Sequence, residues 1–264
     1  MNYDMITSKQ NNIIKLVKKL ISSSKYRKSE NKFVLEGLRL CKDIVMNDAV
    51  NKSTPSLLFF TKSAYEKSSD DIDRIGEKCD KCYLISDDVL KTISDTVNPQ
   101  GVLCVMNMPD MTDVRLSGCG RYMVLHNISN PDNVGAISRS AEAFGLDGII
   151  TVGGCDIYNP KATRASMGAL LRLTVLDMSD DELFDECKEK CIKTYASTPR
   201  ATATPIDKCG FDTGCAVLIG NEANGLSDDI IDRCDCAVTI PMKGRAESLN
   251  AAAAAAVLAY AMTL

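Results

Sequence analysis

The chain has 264 residues, 45% hydrophobic and 25% charged, with no tryptophan and a formal net charge of −4. That length suits one large or two modest domains, and the mixed composition excludes a disordered or fibrous chain. Met1 to Lys9 lacks the apolar core of a signal peptide and no stretch reaches the ~20 apolar residues that span a bilayer, so the expectation is a soluble, cytoplasmic protein without membrane association.

From Thr7 onward, Ile13, Ile14, Val17, Leu20 and Ile21 recur at helical spacing and leave Lys15, Lys18 and Lys19 on the other side. This pattern predicts an amphipathic helix with a basic back. Residues 9–42 hold ten Lys and Arg against Glu30 and Glu36, a net of +8, which leaves −12 for the rest of a chain whose total is −4. A local basic surface on an acidic body suits docking to a phosphate backbone, with Lys15, Lys18, Lys19, Lys25, Arg27, Lys28 and Arg39 as candidate contacts. A solvated helix face with a charged loop is the alternative.

Short apolar runs follow at Phe33–Leu35, Leu57–Phe60, Tyr83–Ile85 and Val102–Met106, alternating with helical stretches. They predict a small α/β domain over residues 1–107. Residues 108–118 are polar and broken by Pro109 and Gly118, which marks a linker to a second domain at 119–264. There, strands are predicted at 121–126, 148–152, 173–176, 192–197, 215–220 and 236–240. Helices between most of them imply a mainly parallel sheet covered on both faces, with ligands at the carboxyl ends of the strands.

The twelve cysteines include Cys79-Asp80-Lys81-Cys82, a spacing found in zinc and redox sites. No second ligand pair accompanies it. Cys187 with Cys191, Cys234 with Cys236, and the single histidine, His126, make no familiar set, so reduced core cysteines and no metal are expected.

Three segments carry chemistry. His126 to Arg139 runs from a strand through Asn130-Pro131-Asp132 into a helix for which Asn133 is the candidate cap. Val134, Ile137, Ala141 and Phe144 form the apolar stripe of that helix, and Arg139 lies roughly opposite. Alone, such an arginine reads as a solvated residue. Ala216 to Gly225 joins a buried-looking strand to a tight Gly220-Asn221-Glu222-Ala223-Asn224-Gly225 turn. Val238 to Asn250 ends a strand at Ile240-Pro241-Met242-Lys243-Gly244. It then enters a helix with Ser248 as candidate cap and a run of alanines from Ala251 to Ala256.

In this order, the three segments resemble the SpoU (TrmH-type) family of RNA ribose 2′-O-methyltransferases, members of the knotted SPOUT class. The matching residues are Asn133 and Arg139, then Gly220-Asn221-Glu222, then Ile240-Pro241-Met242 with Ser248-Leu249-Asn250. Asn159 to Ala169 is similar to the family sequence between the first two motifs, and residues 6–106 look like the substrate-binding domain some members carry. That likeness includes the Thr96-Val97-Asn98-Pro99-Gln100-Gly101 approach to the linker. One position departs: Ala252 stands where the family usually has a hydroxyl residue.

The resemblance implies a trefoil-knotted, mainly parallel sheet and S-adenosylmethionine as cofactor. Gly220, Ile240 and Leu249 would contact it through the backbone, and Glu222, Met242 and Gly244 would shape its pocket. It also implies a homodimer and methylation of a ribose 2′-hydroxyl in structured RNA. The basic N-terminal domain favours 23S ribosomal RNA over transfer RNA, since A-form RNA is read mostly by shape. Asn133, Arg139, Glu222, Ser248 and Asn250 become the candidate catalytic set. A guanidinium with pKa above ~12 is a poor base, so Arg139 is read as holding a phosphate or lowering the hydroxyl pKa. A transfer-RNA enzyme of the same chemistry, or a catalytically silent RNA-binding assembly factor, are the alternatives.

Overall fold

In the computed structural model of the chain, residues 1–46, 53–245 and 248–264 are described. They divide into two units: Met1–Asp110 with Tyr158–Arg172, and Met111–Ile157 with Leu173–Leu264.

The first unit begins with β1 (Asp4–Ile6), α1 (Asn12–Ser22), α2 (Ser24–Glu30), β2 (Lys32–Glu36) and α3 (Leu38–Met46). It continues with β3 (Thr54–Thr61), α4 (Lys62–Gly76), β4 (Lys81–Ile85), α5 (Asp87–Leu90) and β5 (Val102–Asn107). The sheet order is β1-β4-β3-β5-β2, with β5 antiparallel to both neighbours and the remaining pairs parallel. Successive side chains of a strand point to opposite faces. Val34, Phe59, Leu103 and Val105 therefore meet Ile14, Val17 and Leu20 of α1. Phe33, Leu35, Leu58, Phe60 and Cys104 meet Cys41, Ile44, Ile72 and Ile75 of α3 and α4 on the other side.

The predicted amphipathic helix is α1, with Ile14, Val17 and Leu20 buried and Asn11 as its cap. Two elements leave no apolar pattern to read. β1 is a three-residue edge strand, and α2 has Tyr26 as its one apolar side chain. Local capping makes α2: the Ser23 side chain accepts from the Tyr26 N–H, and Asn31 closes the helix in the left-handed region at φ 52°.

Arg27 corrects the expected basic surface. It is 2% exposed, and its Nη1 donates to the carbonyls of Leu20 at 2.6 Å and Ile21 at 3.1 Å. A helix leaves its last carbonyls without intrahelical partners, and a buried arginine from the next helix satisfies two of them.

The second unit runs through β6 (Arg121–His126), α6 (Pro131–Ala143) and β7 (Gly148–Val152). The chain then leaves it for α7 (Pro160–Ala165) and α8 (Ala169–Arg172), which belong to the first unit. There Arg164 pairs with the buried Glu36 at 3.1 Å and with Asp95 at 2.9 Å, Tyr158 packs on Phe33 with ring centroids 4.7 Å apart, and Leu171 joins the core. The same Glu36 carboxylate accepts from Asp95 N at 3.1 Å and Thr96 Oγ1 at 2.7 Å.

The chain returns as β8 (Thr174–Asp177), α9 (Asp180–Glu189), β9 (Lys193–Ser197), β10 (Thr204–Pro205), a short 3-10 turn at Ile206–Lys208, and β11 (Cys215–Ile219). It ends with α10 (Asp228–Arg233), β12 (Cys236–Thr239) and α11 (Ala251–Ala261). Seven parallel strands follow the order β10-β12-β9-β11-β6-β7-β8. Each of the six predicted strands is present with ends within one residue; the two-residue β10 was not anticipated. One face packs Val124, Ile150 and Leu218 against Leu183, Ile230 and Ile231 of α9 and α10. On the other, α6 lies on β7, and α11 lies on α6 and β11. The buried Ala255 and Ala259 let α11 approach its neighbour closely.

Among the described residues, no helix is long and apolar enough to cross a membrane. All twelve cysteines are free thiols, and burial pushes that of Cys82 up to about 11. No group of three or more His, Cys, Asp or Glu among the described residues is placed to hold a metal ion.

Arg27→Ala should destabilise the protein by about 1–3 kcal/mol, the cost of leaving buried acceptors unsatisfied. Urea denaturation followed by circular dichroism measures this, and Arg27→Lys should recover only part of the loss because one ammonium cannot reproduce the guanidinium fork.

Candidate functional site

β6 and β11 are neighbours in the sheet, with β7 and β8 beyond β6 and β9 beyond β11, so the loops leaving their carboxyl ends lie side by side. The loop after β11 is a tight fold-back. Asn221 bridges Gly225, whose N–H donates to the Asn221 carbonyl at 2.8 Å, and Gly225 sits at φ 67°. The Asn221 side chain closes the turn by accepting from Ala223 N at 3.0 Å and Asn224 N at 3.3 Å. Gly220 is demanded by this geometry, because a Cβ there would lie 2.2 Å from the Gly225 carbonyl carbon.

The turn projects Glu222 onto the loop after β6. Its Oε2 accepts from Ser129 N at 3.2 Å and Ser129 Oγ at 3.1 Å, and its Oε1 accepts from Asn130 N at 3.1 Å and Asn133 Nδ2 at 2.9 Å. Asn221 Nδ2 adds a bond to the Asn127 carbonyl at 2.9 Å. Asn133 Oδ1 in turn accepts from Asn250 Nδ2 at 3.3 Å. Asn133, Glu222 and Asn250, far apart in sequence, thus form one hydrogen-bonded array.

Both predicted caps move. Asn130, not Asn133, caps α6: its side chain accepts from Asp132 N, and Pro131 takes the first helical position, where a missing N–H costs nothing. That frees Asn133, which is buried, for Glu222. Asn250, not Ser248, caps α11, with Oδ1 accepting from Ala252 N at 2.9 Å. The backbone at Ala252 therefore serves the cap whatever its side chain. Phe144 ends α6 and is 37% exposed, so it leaves the expected stripe of buried Val134, Ile137 and Ala141.

Beside the array lies a cleft of about 410 Å³. Of the residues assigned to a ligand, Gly220, Ile240, Met242 and Leu249 line it, together with Glu222 and Ser248; Gly244 does not. Ala246 and Glu247 of the third segment lie outside the described residues. Ser197 to Arg200, at the end of β9, also line the cleft and were missed. No motif marks them; only the position of β9 between β12 and β11 brings them there. Arg200 is held by ion pairs to Asp228 and to Asp232, the latter at 3.6 Å.

Arg139 is exposed on α6, makes no hydrogen bond or ion pair among the described residues, and does not line the cleft. In the first unit, Lys15, Lys18 and Lys19 on α1 and Lys25 and Lys28 on α2 are exposed on adjoining helices. Lys19 Nζ lies 5.3 Å from the Tyr26 ring centroid. Arg39 is exposed on α3, in the helix layer across the sheet from α1.

Burial alone would raise the Glu222 pKa, but the hydrogen bonds from Asn133 and from backbone N–H groups outweigh it and hold the carboxyl at about 2. A folded value below the ordinary 4.5 means this network stabilises the fold above about pH 4.5, and the contribution is lost as pH falls through about 2. Carbon-detected NMR of the side-chain carboxyl should show Glu222 ionised at about pH 3.5, where ordinary glutamates are mostly protonated. The stability advantage of the native chain over Glu222→Gln should shrink over the same acid range. A midpoint near the ordinary glutamate value would mean that the loop donors do not hold the carboxylate.

Residues 120–260 match the family model described as the SpoU rRNA Methylase family, and residues 11–104 match that of the MRM3-like substrate binding domain. The 23S rRNA (guanosine(2553)-2′-O)-methyltransferase RlmP of Bacillus subtilis is 28% identical over 97% of both chains. An uncharacterized tRNA/rRNA methyltransferase of Synechocystis is 30% identical over 97% of this chain and 92% of its own. Among solved structures, the SpoU methyltransferase AviRb of Streptomyces viridochromogenes in complex with AdoMet superposes with a TM-score of 0.86. It is 25% identical and matches over 96% of this chain and 97% of that one. With a family match over more than half its length, on the domain that holds the Asn133–Glu222–Asn250 array, the chain belongs to the SpoU rRNA Methylase family.

Proposed function

We propose that this chain transfers a methyl group from S-adenosylmethionine to a ribose 2′-hydroxyl of structured RNA, with 23S ribosomal RNA as substrate. The observation that carries the reading is the cleft at the ends of β9, β11 and β12, walled by Gly220, Ile240, Met242 and Leu249 beside the Glu222 array. The name of the Bacillus subtilis relative, which matches along almost its whole length, supports the RNA class.

The residues present fit the cofactor. A cleft of about 410 Å³ falls within the roughly 300–1,000 Å³ of small-molecule sites. Ile219, Ile240, Met242, Leu249 and Ala254 supply apolar surface, and Ser197, Thr198 and Asn221 supply polar groups. S-adenosylmethionine, when bound, supplies an electrophilic methyl group. Gly220, Ile240 and Leu249 would hold it through their backbones, and Gly244 belongs to the same loop as Met242, which lines the cleft.

Glu222 positions groups rather than taking a proton: both oxygens are occupied and its basicity is low. Asn133 and Asn250 extend that array to the start of α11. Ser248 is exposed and lines the cleft, so its hydroxyl is available to the incoming ribose. Arg139, permanently charged, holds the target phosphate or stabilises the developing alkoxide. Alignment of the hydroxyl with the methyl group provides much of the acceleration.

Arg139 stands apart from the cleft of its own chain, which favours a homodimer in which it completes the partner's site. Phe144, Val257 and Tyr260 expose 37%, 38% and 53% of their surfaces on the α6–α11 pair, with the Phe144 and Tyr260 rings 5.6 Å apart, an apolar face suited to a two-fold interface. In this reading residues 1–107, completed by the excursion at Tyr158–Arg172, bind RNA, the rest of 119–264 catalyses, the segment leading into α11 threads a loop to form a trefoil knot, and the enzyme works in the cytoplasm. Lys15, Lys18, Lys19, Lys25 and Lys28 remain as the RNA contacts; Arg39, in the helix layer across the sheet, stands outside that surface.

Arg139→Ala should lower methyl transfer by about 10²–10³-fold, the usual cost of removing one charge-stabilising group, while leaving cofactor affinity unchanged. Tritium transfer to in vitro transcribed 23S RNA and calorimetric titration of the cofactor measure the two; near-normal turnover would remove Arg139 from catalysis. Tyr260→Asp should give an inactive monomer by light scattering, and an active monomer would contradict the composite site.

A further inference from the structure

His126 is the only histidine of the chain, the last residue of β6, and 7% exposed. Nothing in the array described above uses it. Its Nε2 lies 3.0 Å from Asp180 Oδ1, in the first turn of α9, and its Nδ1 lies 3.4 Å from Asn127 Nδ2. An amide donor facing Nδ1 places the ring proton on Nε2, where it donates to Asp180. The imidazole therefore spans from α9 to Asn127.

Asn127 is the pivot of the site loop. It lies in the left-handed region at φ 55°, a conformation that asparagine tolerates better than most residues other than glycine. Three contacts over-determine it. Its N–H donates to the Val152 carbonyl at 2.8 Å, its carbonyl accepts from Asn221 Nδ2 at 2.9 Å, and its side chain is confined between His126 and Gly153. A Cβ at Gly153 would stand 2.5 Å from Asn127 Oδ1, so that side of the pocket is already full. Beyond this turn come Ser129 and Asn130, whose N–H groups bind Glu222, and then α6, which carries Asn133 and Arg139.

We propose that His126, held by Asp180, is a positioning residue for methyl transfer: it locks the Asn127 turn and so sets where the Glu222-bound loop and α6 begin. The inference rests on the methyltransferase reading above. A chain of bonds runs from Asp180 through His126, Asn127, Asn221 and Glu222 to Asn133 and Asn250. A shift of about 1 Å at reacting groups can cost 10²-fold in rate, so a slackened turn acts on turnover more than on binding.

The test uses the full chain, tritiated S-adenosylmethionine and in vitro transcribed 23S RNA. His126→Leu should lower kcat by about 10–100-fold with KM for RNA and cofactor affinity within about twofold, the signature of an interaction made only in the transition state. His126→Gln, whose amide can still donate to Asp180, should recover most of the lost kcat. Asp180→Ala breaks the same brace from the half-exposed side and should lower kcat in the same direction, which keeps the question open to measurement if the leucine variant does not fold. Hydrogen exchange should quicken at the Ser129 and Asn130 amides of His126→Leu and stay unchanged in β11. Wild-type kcat in both His126→Leu and Asp180→Ala, a loss confined to KM, or a glutamine variant no better than leucine would each overturn the proposal. A native chain that transfers no methyl group would overturn the functional reading instead, and the exchange measurement would still decide whether His126 braces the loop.

Discussion

The Glu222 carboxylate ties the loop after β11 to the loop after β6, and the arrangement of the site follows from that one acceptor. Four donors from Ser129, Asn130 and Asn133 converge on two oxygens. Two of them are backbone N–H groups at the approach to α6, where a helix N-terminus favours negative charge. The result is a carboxylate that stays ionised and weakly basic, suited to fixing geometry and unsuited to accepting a proton. Since Asn133 passes the constraint to Asn250, and Asn250 caps α11, the start of the last helix is set by the same group.

A second carboxylate performs the corresponding task in the first unit. Glu36 is 6% exposed and collects Thr96 Oγ1, Ser94 Oγ, Asp95 N and the Arg164 guanidinium. A buried charge is tolerated only when it is paired and hydrogen-bonded, and here the partner arrives from the excursion between β7 and β8. The first unit is thereby completed by residues from the middle of the chain. An acidic anchor in each unit fixes an irregular stretch of loop, Ser94 to Thr96 in the first and Ser129 to Asn130 in the second.

Much of the fold was legible because strand and helix periods leave a regular record. The buried strands of the second unit are continuous apolar runs that begin and end at polar or glycine residues, and β6 and β7 lie where those runs predicted. β1 and β10 were not legible, since two or three edge residues carry no period. The helix caps were misread for a different reason. Asn130, Asn133, Ser248 and Asn250 are all chemically able to cap, and which one does so depends on Pro131 at the first position of α6 and on what the competing asparagine meets on the neighbouring loop. Arg27 shows the same limit: as sequence it is one more charge in a basic run, and only the folding of α2 back on α1 turns it inward to two carbonyls.

The sequence by itself determined the element types, the parallel α/β class and the residue types of the site, because these rest on local pattern: apolar period, turn glycines and amides, and the order of three segments. Tertiary structure decided which of those residues meet. It joined Glu222 to Asn133 across two loops, brought Ser197 to Arg200 to the cleft through the order of the strands, and separated Arg139 from the cleft on its own chain. The Gly220 turn shows how the two levels divide. The glycines and Glu222 are visible in the sequence, but the role of the carboxylate is set by donors some ninety residues away, and spacing along a chain does not record which loops a parallel sheet will place side by side.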